Sequence, residues 1–219
     1  MTGSPEAALR VILADDHPVV RGGVRALLEH AGGIRISAEA GTAGELFAAL
    51  ARGDGDLALT DFSMPGGDAA DGLSMLGRLR AHWPELPVVV LTMATNTAVL
   101  RAILDTGVLG LLNKSDALDE LALAIHAAAR GRRYLGTGIR TLLDAPGMPG
   151  DAGSGAVLSR RETEVLRLFA SGLTVSQIAR RLNRSVKTIS RQKTDAMAKL
   201  GLRSDLEIYA YAREHGLLF

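Results

Sequence analysis

The chain has 219 residues, room for one large domain or two ordinary ones, and its 47% hydrophobic content is ample for a packed core. It contains no cysteine, which excludes disulfide frameworks and thiolate metal sites, and no apolar run approaches the roughly 20 residues of a membrane span. The net charge of +1 hides two halves of opposite sign: residues 1–130 carry 10 Lys+Arg against 16 Asp+Glu, and residues 131–219 carry 15 against 8. The basic half is thereby a candidate for nucleic acid.

The N-terminus, MTGSPEAALR, lacks the basic-then-apolar layout of a signal peptide, so a cytoplasmic protein with no membrane partner is expected. From residue 9 to 130 short apolar runs alternate with amphipathic segments. The runs LRVILA (9–14), IRISAEA (34–40), DLALT (56–60), PVVVLT (87–92) and LGLLNK (109–114) predict strands. Segments near 18–31, 43–51, 72–82, 96–106 and 116–130 predict helices. Five strands each followed by a helix make an α/β domain over 1–130, its parallel sheet covered on both faces. Residues 131–156, rich in Gly, Pro and Ala, read as a flexible linker with a short helical piece at 139–144. Residues 157–219 read as a separate all-α domain. Ser159 and Glu162 have capping-box spacing, and Gly172, Asn183 and Gly201 divide the rest into four helices.

In an open parallel sheet the functional crevice lies at the carboxyl ends of the strands. There the first strand ends in Asp15-Asp16, the third in Asp61, the fourth in Thr92 and the fifth in Lys114. Oxygen ligands of this charge suit Mg²⁺, which takes one or two carboxylates together with phosphate oxygens. The set fits phosphoryl transfer, with Asp61 as nucleophile and Thr92 and Lys114 on the phosphoryl oxygens. Lys114 is informative because the chain has 21 Arg against 4 Lys, and none of the other lysines precedes residue 187. A compact ammonium where guanidinium is otherwise preferred argues for a point-charge role. His17 reads as the opening of the first helix before Pro18 rather than as a metal ligand, since Mg²⁺ favours oxygen.

The order Asp15-Asp16, Asp61, Thr92, Lys114, with Met64-Pro65 and then Gly72, resembles the receiver domain of two-component response regulators over residues 9–130. The resemblance implies a flavodoxin-like (βα)₅ fold and phosphorylation of Asp61 by a sensor histidine kinase or a histidine phosphotransfer protein. It also implies Mg²⁺ held by Asp16, Asp61 and the Ser63 carbonyl with Asp15 assisting, Thr92 as switch hydroxyl and Lys114 as phosphate-sensing cation. Three departures stand out: the segment PGGDAADG (65–72) is lengthened, Met93 replaces a small residue, and Leu111 stands where many members carry a switching aromatic.

In the basic half, IARRLNRSVKTISRQKTDAMAKLG (178–201) reads as helix, turn, helix, with Val186, Ile189, Ala196 and Leu200 on an inward stripe. Lys187, Ser190, Arg191 and Thr194 share another stripe at i, i+3, i+4, i+7, beside Thr188. A guanidinium flanked by hydroxyls suits major-groove reading, while Arg180, Arg184 and Lys193 suit phosphates. Residues 158–207 resemble the LuxR-type helix-turn-helix domain of NarL/FixJ regulators, and strings such as TDFSMPG and LNRSVKTISRQK resemble the RcsB branch. The resemblance makes 185–200 the recognition helix and 203–215 the dimerisation helix, with Asp205, Ile208 and Tyr209 as contact candidates on inverted-repeat half-sites.

The expected function is therefore phosphorylation-controlled, sequence-specific DNA binding by a homodimer, with no turnover beyond phosphoryl transfer to and from Asp61. A nearer rival keeps this architecture but sets activity through a heterodimer with an auxiliary regulator, independent of phosphorylation. A phosphatase of the haloacid-dehalogenase type also uses Asp, Thr, Lys and Mg²⁺, but its first strand should end in Asp-x-Asp rather than Asp15-Asp16-His17.

Overall fold

The computed structural model describes residues 8–64, 72–115, 120–144, 158–202, 204–214 and 217. The lengthened segment after Met64 lies outside these residues but for Gly72, as do the start of the helix expected from 116 and residues 145–156 of the expected linker. Contacts group the chain into two compact units, 1–93 with 106–138, and 94–105 with 139–219.

In the first unit the expected strands appear as β1 (Leu9–Ala14), β2 (Ile34–Ala40), β3 (Leu57–Asp61), β4 (Val88–Thr92) and β5 (Gly110–Asn113). The helices α1 (Pro18–Ala31), α2 (Ala43–Ala51), α3 (Gly72–His82) and α5 (Leu121–Ala129) alternate with them, while α4 (Thr97–Leu104), capped by Asn96, groups with the second unit. The sheet is parallel in the order β2-β1-β3-β4-β5-β6. Residues of alternate parity point to opposite faces. Val11, Leu13, Leu57, Leu59, Val89, Leu91 and Leu112 accordingly pack with Val24 and Leu28 of α1 and with Leu121, Ala124 and Ile125 of α5.

The sixth strand, β6 (Tyr134–Leu135), and helix α6 (Thr137–Asp144) lie within the stretch expected as linker, α6 extending the short helical piece expected there. β6 covers the edge of β5 through Tyr134 N–H to Leu109 O at 2.7 Å and Gly136 N–H to Leu111 O at 2.9 Å. Covering the edge removes an unpaired row of backbone groups.

The second unit carries the four expected helices, α7 (Arg160–Ala170), α8 (Val175–Arg181), α9 (Val186–Leu200) and α10 (Asp205–Glu214). Their starts are written locally. Ser159 with Glu162 and Thr174 with Gln177 form reciprocal capping boxes, and the Ser185 hydroxyl accepts the Thr188 N–H at 3.1 Å. Asn183, with φ of 50°, turns the chain between α8 and α9, and Gly201, with φ of 68°, ends α9 in the left-handed conformation.

Candidate functional site

Strand register brings the expected residues of the first unit to one edge. Ala14 pairs with Thr60, Asp61 with Leu91, and Thr92 with Asn113, so Asp15, Asp61, Thr92 and Lys114 fall in a row at the carboxyl ends of β1, β3, β4 and β5. Lys114 Nζ donates to Asp15 Oδ2 and to Asp61 Oδ2, each at 2.7 Å. Both carboxylates are buried, Asp15 at 1% exposure and Asp61 at 5%, as is Thr92. The Ser63 N–H donates to Asp61 Oδ1 at 3.3 Å. Met93, the departure beside Thr92, is half exposed.

Burial raises the Asp61 carboxyl to about 6, against the lowering effect of the Lys114 ammonium. Burial would lower Lys114 in turn, but Asp61 and Asp15 outweigh it and its pKa is raised. The β1–α1 turn is fixed by the His17 N–H donating to Asp15 Oδ1 at 2.8 Å and by Arg21 Nη1 donating to the Asp15 carbonyl at 2.6 Å. Arg21 was not expected at the site; its position one helical turn beyond His17 is the only signal for it.

Asp15, Asp16, His17 and Asp61 offer ligand atoms that all lie within 4.8 Å of one another. Asp16 Oδ1 is buried without a hydrogen bond, with His17 Nδ1 2.7 Å away. A buried anionic oxygen without a donor is a position for a cation. His17 is the N-cap of α1 before Pro18.

In the second unit the α9 stripe is largely presented as expected. Lys187, Thr188, Ser190, Arg191 and Thr194 are all exposed, as are Arg184 and Arg180. Ser185, Lys187, Thr188, Arg191, Gln192 and Asp195 line one shallow concavity. Ser185, Gln192 and Asp195 were not among the expected residues, although Gln192 and Asp195 follow Arg191 on the same helix. Arg191 is 84% exposed and only loosely paired with Asp195, at 3.6 Å.

Three expectations meet a different placement. Lys193 is drawn off the surface: its Nζ sits 3.9 Å from the Phe169 ring centroid and 2.6 Å from Asp205 Oδ1, tying α9 to α7 and α10. Ile208 is fully buried within the domain, whereas Asp205 and Tyr209 are exposed. Val186, expected on the inward stripe with buried Ile189 and Ala196, is 52% exposed, because it sits at the first position of α9 before the helix reaches its neighbours.

Two family models match the chain: the response regulator receiver domain over residues 11–126, and the bacterial regulatory proteins of the luxR family over residues 156–212. The chain is 39% identical to the transcriptional regulatory protein RcsB of Escherichia coli K12 over 205 residues, covering 93% of each. It is 32% identical to the oxygen regulatory protein NreC of Staphylococcus aureus over 217 residues, covering 96% of this chain and 99% of that one. RcsB from Salmonella enterica serovar Typhimurium, bound to promoter P1flhDC in the presence of the phosphomimetic BeF3−, superposes with a TM-score of 0.80 at 38% identity. That match covers 94% of this chain and 99% of that one. Among the described residues no helix is long and apolar enough to cross a membrane. A receiver fold with its acidic edge intact, joined to a LuxR-type domain with its basic helix exposed, places this chain in the family of two-component response regulators that bind DNA, the NarL/FixJ type.

Proposed function

We propose that this regulator accepts a phosphoryl group on Asp61 and thereby changes its dimerisation and its hold on DNA. The observation that carries the reading is the Lys114 ammonium bridging two buried carboxylates at 2.7 Å at the edge where the strands end. Asp61 Oδ attacks the phosphorus of a phosphohistidine on a kinase or phosphotransfer protein, and the P–N bond breaks as the P–O bond forms. Lys114 and Thr92 are the residues that contact the transferred phosphoryl oxygens, and Lys114 is then shared between that group and Asp15. Asp15, Asp16, Asp61 and the Ser63 carbonyl would hold Mg²⁺, which supplies neutralisation of the phosphoryl charge. Beyond this transfer the chain needs no catalytic activity.

On DNA, Arg191 is the base-reading residue, able to pair bidentately with guanine, with Ser190, Thr194 and Gln192 beside it. Exposed Val186 suits a thymine methyl. Lys187, Thr188 and Arg184 contact phosphates. Lys193 supports the helix from behind rather than touching DNA. The exposed side of α10, with Asp205 and Tyr209, forms the contact between two copies on inverted half-sites.

A second reading, control by a heterodimeric partner without phosphorylation, is favoured by one observation. Leu111, at the position of the switching aromatic, is fully buried, so no aromatic there can swing between inward and outward rotamers. Intact mass after incubation with acetyl phosphate and Mg²⁺ tests the main reading. One phosphoryl group gained by the parent and none by Asp61→Ala is the expected result; equal labelling of both would refute the site.

A further inference from the structure

At the opposite end of the sheet from Asp61, where β5 begins, the structure forms a second concavity of about 340 Å³. It is lined by Leu123, His126 and Ala127 of α5, by Arg130, Arg132 and Arg133 of the following turn, and by Tyr134 of β6. The turn is held by its backbone. Gly131 takes the left-handed conformation, the Arg130 and Arg132 N–H groups donate to Ala127 O, and the Gly131 N–H donates to Ala128 O. These last carbonyls of α5 already have donors, so the arginine side chains are not required to cap the helix.

All three arginines are exposed, and among the described residues no carboxylate pairs with them. The acid beside this turn, Glu120, accepts from the Tyr134 hydroxyl at 3.0 Å and from the Thr137 N–H at 3.1 Å. Three guanidiniums border this one concavity, at the end of a region whose charge is otherwise strongly acidic. Leu123, 60% exposed, Ala127 and the Tyr134 ring give the concavity an apolar floor between them.

We propose that this concavity binds a small phosphorylated molecule carrying at least two linked phosphates and a flat organic group, the chemistry of a nucleoside diphosphate. The guanidinium forks match phosphate oxygens bidentately. The floor accepts the organic ring, and the volume is that of a small-ligand site. A DNA backbone is the weaker fit, because a polymer held through its phosphates alone would leave the apolar lining of Leu123, Ala127 and Tyr134 uncovered.

Calorimetric titration of the full chain with ADP, with inorganic pyrophosphate and with adenosine, all in EDTA, tests this. The account expects ADP to bind more tightly than pyrophosphate and adenosine to give no heat. It expects R132A/R133A to weaken ADP at least tenfold, with unchanged thermal stability, while K187A/R191A in α9 leaves ADP binding as in the parent. Absence of heat with both ADP and pyrophosphate would overturn the proposal, as would ADP binding that depends on the α9 residues alone. Displacement of ADP from K187A/R191A by a scrambled DNA duplex would reassign the patch to a nucleic-acid backbone and overturn it equally.

Discussion

The strand-edge site and the α9 face both gather charge, and they are built in opposite ways. At the edge, Asp15 and Asp61 are buried and each sits 2.7 Å from the one Lys114 ammonium. On α9, Arg191 is 84% exposed and its nearest acid is 3.6 Å away. A buried cluster in low dielectric has large, coupled electrostatic terms, so the loss of one group is felt by all. An exposed basic face has small, screened terms that add nearly independently and act only when a polyanion arrives. The first arrangement suits a single covalent event that must be sensed; the second suits graded adhesion to a long charged partner.

The largest expected effect comes from removing the shared cation. Lys114→Ala leaves Asp15 and Asp61 buried with no counter-charge, and unfolding by urea should show a loss of about 3–5 kcal/mol. A loss below 1 kcal/mol would mean the edge behaves like the exposed face and the contrast fails.

Next is the pH dependence of Asp61. Its carboxyl is raised to about 6 in the folded chain against 3.8 ordinarily. The native state therefore binds the extra proton, and this contribution to stability is complete below about pH 3.8 and lost as pH rises through about 6. Asp61→Asn abolishes that loss. In Mg²⁺-free buffer the stability of the variant relative to the parent should rise by about 2–3 kcal/mol between pH 4 and pH 7.5. A difference that stays flat across that range would show the carboxylate to be well solvated.

The smallest effect belongs to α9. Arg191→Ala should cost about 1–3 kcal/mol on a selected duplex while leaving thermal stability and scrambled-duplex binding nearly unchanged. An equal loss on both duplexes would demote Arg191 to a phosphate contact.

Much of the strand edge was legible because parallel register is a strong constraint. Once five apolar runs are read as parallel strands, Asp15, Asp61, Thr92 and Lys114 fall on one edge, as the register shows. The caps at Ser159 and the breaks at Gly172, Asn183 and Gly201 are likewise local signals, confined to a few residues. What escaped depends on distant partners. Strand β6 is two residues long and follows a Gly-containing turn, too short for any periodicity, and only its pairing with β5 defines it. Lys193 looks like a phosphate contact along its own helix, and only the Phe169 ring on α7 and Asp205 on α10 turn it away. Ile208 fits an apolar stripe whose direction, core or surface, is settled by packing and not by spacing.

The most direct test of the account joins the two regions in one measurement. Fluorescence anisotropy can follow binding to a duplex selected from a random pool, using parent and Asp61→Ala, each before and after treatment with acetyl phosphate and Mg²⁺. The account predicts that treatment tightens binding of the parent and leaves Asp61→Ala unchanged. Binding by the treated parent that matches the untreated protein, despite one phosphoryl group gained by mass, would contradict it.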